Sequence, residues 1–400
     1  MTQKTLLTLF VLAGLWSCLE PYEVNLSDYE DLLVVDALIT DENKSHYVRL
    51  SRSLSNSGDW PTMESGAFVS ISDQKGNEEV LTETAAGIYQ TDPMHFIARV
   101  GSTYTLNIRT AGGEEYRSSP CTLLPKTDID KVHFKASRQW NDDKTEEWPG
   151  LDIMVDGDAY QGAYVRWLYE EDWKFEVPFP TRIEYNYSTL NWEYVTPKNE
   201  ICWKNERSSG VFIHSFANQE SSSLKNKKVC FVPSLHTDKL TVRYSILVRQ
   251  LSISQEEYAF WNKLKISTEN VGDVFGTQPF SIQGNVENVN EKNEPVLGYF
   301  QTGSVTAKRL YINRREMDDL GLPIQPYDFG CSLDSFMVDG FSFTSALQIY
   351  EEMVLNGNFH AHDGIYPENG VNLVGLMLSR EKCADCRYTG DLQAPDFWVD

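Results

Sequence analysis

The sequence predicts a mostly β protein: an N-terminal sandwich of immunoglobulin or transthyretin type, followed by a larger β-rich region with one or two helices. Three observations predict it. Short stretches between residues 32 and 125 alternate apolar and polar side chains at period two. Turn residues, not helical segments, separate those stretches. Beyond residue 125 strand-like runs continue, and a full set of helix start and stop signals occurs once, near residues 254–268.

The chain opens with a weakly basic segment carrying Lys4, and Leu6 to Trp16 is apolar apart from Thr8. That run is shorter than the roughly 20 apolar residues that cross a bilayer as a helix, and it has the form of a secretory signal. It ends Leu15-Trp16-Ser17-Cys18. A small residue before a Cys that closes such a run is what a lipoprotein signal peptidase accepts. Residues 1–17 are therefore expected to be removed, Cys18 to be lipidated, and residues 18–31 to form a linker. Leu19-Glu20-Pro21-Tyr22-Glu23 lacks the Asp that retains lipoproteins at an inner membrane. Acyl chains in the outer membrane, with the body facing the cell surface, are the expected attachment.

Leu33 to Ile39 is an apolar strand, and Tyr47 to Ser51 alternates. Phe68 to Ser72 alternates again before the turn-forming Gln74-Lys75-Gly76-Asn77. Gly87-Ile88-Tyr89, Tyr104 to Ile108 and, after Gly112-Gly113, Glu115-Tyr116-Arg117 continue the series. Strands so spaced predict a sandwich domain over 32–125, with Pro120 and Pro125 marking its end. A β-rich domain over 126–400 follows. Val132 to Phe134, Leu151 to Val155, Ala163 to Trp167 and Leu240 to Val248 are its clearest early strands. Aromatic side chains crowd residues 167–203. Strand propensity and core packing account for most of them, and Trp173, Tyr187 and Trp192 are the candidates for ligand stacking. Ser254 and Glu257 form a capping box for a helix through Tyr258, Trp261 and Leu264, with Gly272 beyond its end. Strands are expected over 296–302 and 308–313, and a second helix over 343–355, ended by Asn356-Gly357.

Asp and Glu total 58 against 35 Lys and Arg, a formal charge of −23. Such a surface repels phosphate backbones and argues against nucleic acid as a partner. Of seven cysteines, six remain beside the acylated one: Cys121, Cys202, Cys230, Cys331, Cys383 and Cys386. An even count in an exported chain predicts disulfides and leaves connectivity open. Cys202 with Cys230 is the pairing expected, since both lie beside strand-like runs. Cys383-Ala384-Asp385-Cys386 sits in a polar C-terminal tail without a second such motif, which favours structural disulfides over redox or zinc chemistry.

Four stretches carry a resemblance. They are the lipobox running into Cys18-Leu19-Glu20-Pro21-Tyr22; Leu33 to Asp41; Ser252 to Pro295, with Tyr258, Trp261, Pro279, Gly284-Asn285-Val286, Asn290 and Glu294-Pro295; and Cys383 to Arg387 leading to Pro395-Asp396-Phe397-Trp398. Together they resemble the Bacteroidota outer-membrane lipoproteins grouped as domain of unknown function four-two-four-nine. Genes of that family commonly neighbour TonB-dependent receptors, so the resemblance implies a surface accessory to nutrient uptake and a TonB-dependent receptor as partner. No catalytic residues are established for the family. Tyr388-Thr389-Gly390-Asp391 departs from it, with one Gly where members often have two.

His360-Ala361-His362-Asp363 is the most metal-like cluster, because alternate residues of a strand project to one face. A third ligand would still be required, and the preceding Asn356-Gly357-Asn358 favours an exposed polar loop. Asp152, Asp156 and Asp158 match no EF-hand spacing and read as strand-end solvation. The sequence has no Gly-x-Ser-x-Gly elbow, no HExxH and no phosphate-cradling glycine loop. The expectation is a binding protein with no cofactor and no enzymatic activity. An adhesin or a structural subunit of an envelope assembly complex is the alternative, and paired carboxylates for glycoside hydrolysis come third.

Overall fold

The fold is that of a computed structural model, which describes residues 31–53, 60–141, 143–217, 223–269, 282–324, 330–340, 342–368, 370 and 372–399. The signal peptide, Cys18, Gly272 and Pro279 lie outside the described residues. Strand β1 (Leu33–Thr40) buries Leu33, Val35, Ala37 and Ile39 on one face, as its alternation requires. It pairs antiparallel with β2 (Tyr47–Arg52), Val35 opposite Leu50. Then come β3 (Phe68–Asp73), β4 (Glu78–Val80), β5 (Thr82–Ala85), β6 (Ile88–Gln90), β7 (Thr103–Arg109), β8 (Glu115–Ser118) and β9 (Cys121–Thr122). They sort into two sheets, β1-β2-β6-β5 and β8-β7-β3-β4, with β9 on β7. Val35, Leu50, Ile71, Leu106 and Tyr116 fill one buried cluster drawn from both sheets, so the N-terminal region is a sandwich.

A second sandwich follows. β10 (Lys131–Trp140), β11 (Glu147–Asp158) and, later, β17 (Ser223–Pro233) make a three-stranded sheet. β12 (Tyr164–Glu176), β15 (Ile201–Arg207), β16 (Phe212–Ser215) and β18 (Arg243–Ile253) belong to the sheet opposite, while β13 (Ile183–Asn186) and β14 (Asn191–Tyr194) form a separate hairpin. Leu151, Ile153, Val165, Trp167, Phe175 and Tyr244 are buried in one cluster between these layers. Helix α1 (Gln255–Glu269) covers part of the outer face, its Tyr258 and Trp261 packing on Leu251, Ile253 and Val305.

β19 (Val286–Asn288) and β20 (Leu297–Asn313) join the two halves. The first residues of β20 run parallel to β1, from Val34 opposite Leu297 to Thr40 opposite Gly303. Its remaining residues run antiparallel to β18, from Ser252 opposite Ser304 to Arg243 opposite Asn313. A nine-stranded sheet therefore passes through both halves in the order β15-β12-β18-β20-β1-β2-β6-β5, with β16 also paired to β12. This corrects two expectations. Residues 296–302 and 308–313 are one strand, because Thr302 to Ser304 are buried between two ladders that satisfy their backbone groups. The sandwich also does not close within 32–125: β19 pairs with β8, and Val286, Val296 and Phe300 complete its core.

Past α2 (Arg314–Asp319), β21 (Asp334–Met337), β22 (Phe359–Ile365) and β23 (Gly375–Arg380) form a small sheet. The helix expected over 343–355 is a four-residue turn, α3 (Ala346–Ile349), that widens into a π-helical segment, Tyr350–Leu355. Ile183, Ile349, Tyr350, Ala361, Leu376 and Leu378 make the core of this unit. Disulfides Cys202–Cys386 and Cys331–Cys383 tie the C-terminal turns around α4 (Glu381–Ala384) to the rest. The expected Cys202–Cys230 pair does not form. Cys202 lies on β15 opposite Phe175 and Cys230 on β17 opposite Ile153, in different sheets, and Cys386 is anchored beside β15 by its N–H donating to Asn199 O (2.9 Å). Among the described residues Cys121 and Cys230 have no disulfide partner. Among the described residues no helix is long and apolar enough to cross a membrane.

Candidate binding cleft

Successive side chains of a strand point to opposite faces, so β12 sends Val165 and Trp167 into the core and Arg166, Leu168 and Glu170 to the outer face. There they meet Asp36 and Leu38 of β1, Gln301 of β20 and Arg249 of β18, where α1 leaves the sheet uncovered. The result is a cleft of about 460 Å³ at the junction of the two halves. Lys44, Arg166, Arg207 and Arg249 line it against two carboxylates, Asp36 and Glu170. The cleft is thus cationic in a chain of charge −23.

Arg166 is its centre. The side chain is only 9% exposed. The guanidinium lies 3.5 Å from the centroid of the Trp261 ring, a desolvated cation–π contact. Its Nη1 donates to Gln301 Oε1, while Nε has no hydrogen-bond partner among the described residues. Burial pulls its pKa down to about 10, opposed by the charges of Glu257 and Asp36, so it stays a cation at neutral pH. Glu257, on α1, is wholly buried behind it. Burial pushes this carboxyl up to about 7, against the pull of Arg166, the indole N–H of Trp261 (3.2 Å) and the Thr302 backbone N–H. Ser254 caps the helix as expected, accepting from the Glu257 N–H at 3.1 Å, but the Glu257 carboxylate turns into the protein.

The rim is ion-paired. Arg249 donates to Glu42 and lies 3.9 Å from Glu170, and Lys44 reaches Glu42 at 2.8 Å. His46 also lines the cleft and is 3% exposed. Its Nδ1 lies 3.5 Å from the Thr40 N and the ring also meets the Glu42 backbone, while Nε2 has no partner among the described residues. Burial, helped by Lys44, pulls the imidazole down to about 4 and keeps it neutral.

The residues singled out from sequence lie elsewhere. Trp173 is a core residue, not a stacking platform: it is 6% exposed, its indole N–H donates to Asp238 Oδ1 (3.0 Å), and the Lys239 ammonium stands 5.2 Å from its ring. Tyr187 is half exposed and donates to Glu351 Oε1 (3.0 Å). Trp192 packs edge-on against Tyr185 and Tyr350. Both rings belong to the C-terminal unit. His360 and His362 are on strand β22, not an exposed loop, and are part-buried. His360 Nδ1 pairs with the Thr181 hydroxyl (3.0 Å) and His362 Nδ1 donates to Pro180 O (2.8 Å). Among the described residues no three metal-ligating groups converge. Asp152 and Asp156 face cross-strand partners, Lys228 (2.7 Å) and His133 (3.2 Å), within β11. Of the two unbridged thiols, Cys121 accepts from Asn285 Nδ2 (3.1 Å), and burial pushes it up to about 12.

Sequence reading missed Arg166, Gln301 and His46. The available signal was Arg166 itself, a cation inside the strand Ala163 to Trp167.

The family model described as domain of unknown function (DUF4249) matches residues 19–309, which includes every residue that lines the cleft. No curated protein matches the chain.

Proposed function

The chain belongs to the DUF4249 family, and from that premise we propose that it is a lipid-anchored outer-membrane protein that binds at the cell surface as a non-catalytic accessory of a TonB-dependent transporter. The observation that carries this reading is Leu15-Trp16-Ser17-Cys18 at the end of a short apolar run, which directs export and acylation. The acidic body suits a protein that captures ligand or docks on a receptor without adhering to anionic lipid. The junction cleft, polar and of small-molecule size, supplies a place for binding.

The test is affinity purification of the lipidated, C-terminally tagged protein from native outer membranes, with mass spectrometry of what accompanies it. A TonB-dependent receptor in near-equal amount is the expected result. Recovery of an envelope assembly machine, or of no reproducible partner, would overturn the reading and favour an adhesin or structural subunit.

A further inference from the structure

We propose that the junction cleft is a recognition site for a small hydroxylated organic acid, a sugar acid in size and chemistry, whose carboxylate is taken by Arg166. The inference goes beyond the receptor-accessory reading and does not depend on the receptor. Three observations converge on it.

The first is an unmet donor. A guanidinium offers five N–H groups in a planar fork suited to a carboxylate. Here Gln301 accepts from Nη1 and Trp261 covers one face, while Nε, itself closed to solvent, has no acceptor among the described residues, so a carboxylate would have to reach the guanidinium through the part that lines the cleft. Leaving a buried donor unpaired costs more than the bond itself is worth. Glu257 does not supply the missing acceptor: its carboxylate is held by the Trp261 indole and the Thr302 N–H and is driven toward its neutral form.

The second is the charge of the walls. Lys44, Arg166, Arg207 and Arg249 outnumber Asp36 and Glu170, and Glu42, paired with Lys44 and Arg249 at the rim, leaves one cation in excess. An excess of cations favours an anion, yet two carboxylates oppose a phosphate dianion more than a single carboxylate. Asp36, Glu170 and the hydroxyls of Ser45 and Ser208 are acceptors suited to ligand hydroxyls.

The third is size and shape. About 460 Å³ lies in the range of small-molecule sites, and Leu38 and Leu168 give the floor an apolar strip under the body of such a ligand.

Calorimetric titration of the full-length protein in detergent tests this, with glucuronate and gluconate as probes and glucose and inorganic phosphate as controls. The two acids are expected to bind saturably, and each control at least about tenfold more weakly, the equivalent of one charge-assisted hydrogen bond. Arg166→Lys keeps the charge opposite Glu257 but loses the fork, so acid binding should weaken by at least about tenfold while the unfolding temperature is retained. Leu168→Trp fills the cleft without touching the fork and should abolish binding, which carries the test if Arg166→Lys fails to fold. No saturable binding of either acid up to about 10 mM, equal binding by a folded Arg166→Lys protein, or phosphate bound as tightly as the acids would overturn the proposal.

Discussion

Position 257 brings a local rule and the fold into conflict. Glu three residues after Ser254 is a capping signal, and the Ser254 half of that box forms. The carboxylate instead feels the charge of Arg166, which lies on strand β12 and which no local pattern could bring alongside it. The pH dependence follows. An unfolded Glu ionises near 4.5 and the folded one near about 7, so the folded state holds the proton more tightly. Stability from this group is complete below the unfolded value and is lost as pH rises through about 7. Relative to wild type, Glu257→Gln should therefore gain about 3 kcal/mol between about pH 4 and about pH 8. Urea unfolding at the two pH values measures this, and a pH-independent difference would contradict it. Gly298 makes a second prediction. Its φ of +84° disfavours other residues, and a Cβ there would fall 2.0 Å from Val35 O, in the parallel ladder that joins the halves. Gly298→Ala should cost about 2 kcal/mol or more, read by the same unfolding assay.

At the scale of elements, alternation made β1, β2 and β7 legible, because each buries one face more deeply than the other, and it made β3 legible although Ser70 is buried between Val69 and Ile71. β20 was legible only in part. Gly303 and Ser304 look like a break, but two neighbouring strands bury them, which is a fact of pairing and not of composition. The second helix failed similarly: Phe343 to Leu355 has helical periodicity, but only Ala346–Ile349 is α-helical before the turns widen. Disulfide pairing depends on which strands become neighbours, so Cys202 finds Cys386 across 184 residues and Cys331 finds Cys383 across 52. Peptide mapping without reduction should recover those two crosslinks. Breaking the longer one with Cys386→Ser should destabilise the chain by about 3–5 kcal/mol, and limited proteolysis should then cut first within the C-terminal unit. Recovery of a Cys202–Cys230 crosslink would contradict the assignment.

Across the whole molecule, mostly β character and a sandwich were readable from period-two runs, while the shared sheet was not. A parallel pairing between β1 and β20 leaves no mark in either segment. A fragment of residues 32–125 therefore lacks the β20 partner of β1 and the buried Val286, Val296 and Phe300. It should show no dispersed amide spectrum, whereas a folded fragment would contradict the dependence on β20. The cleft was hidden for the same reason: its walls come from strands on both sides of the chain's midpoint. The proposed lipid attachment, in contrast, is read entirely from a linear motif, and the proposed location rests on it, whereas the proposed partner rests on the family resemblance. Intact-mass spectrometry of the protein from the outer-membrane fraction tests the attachment most directly. The account predicts a chain that begins at Cys18 and carries diacylglycerol on that thiol. A chain beginning elsewhere, or an unmodified Cys18, would contradict it.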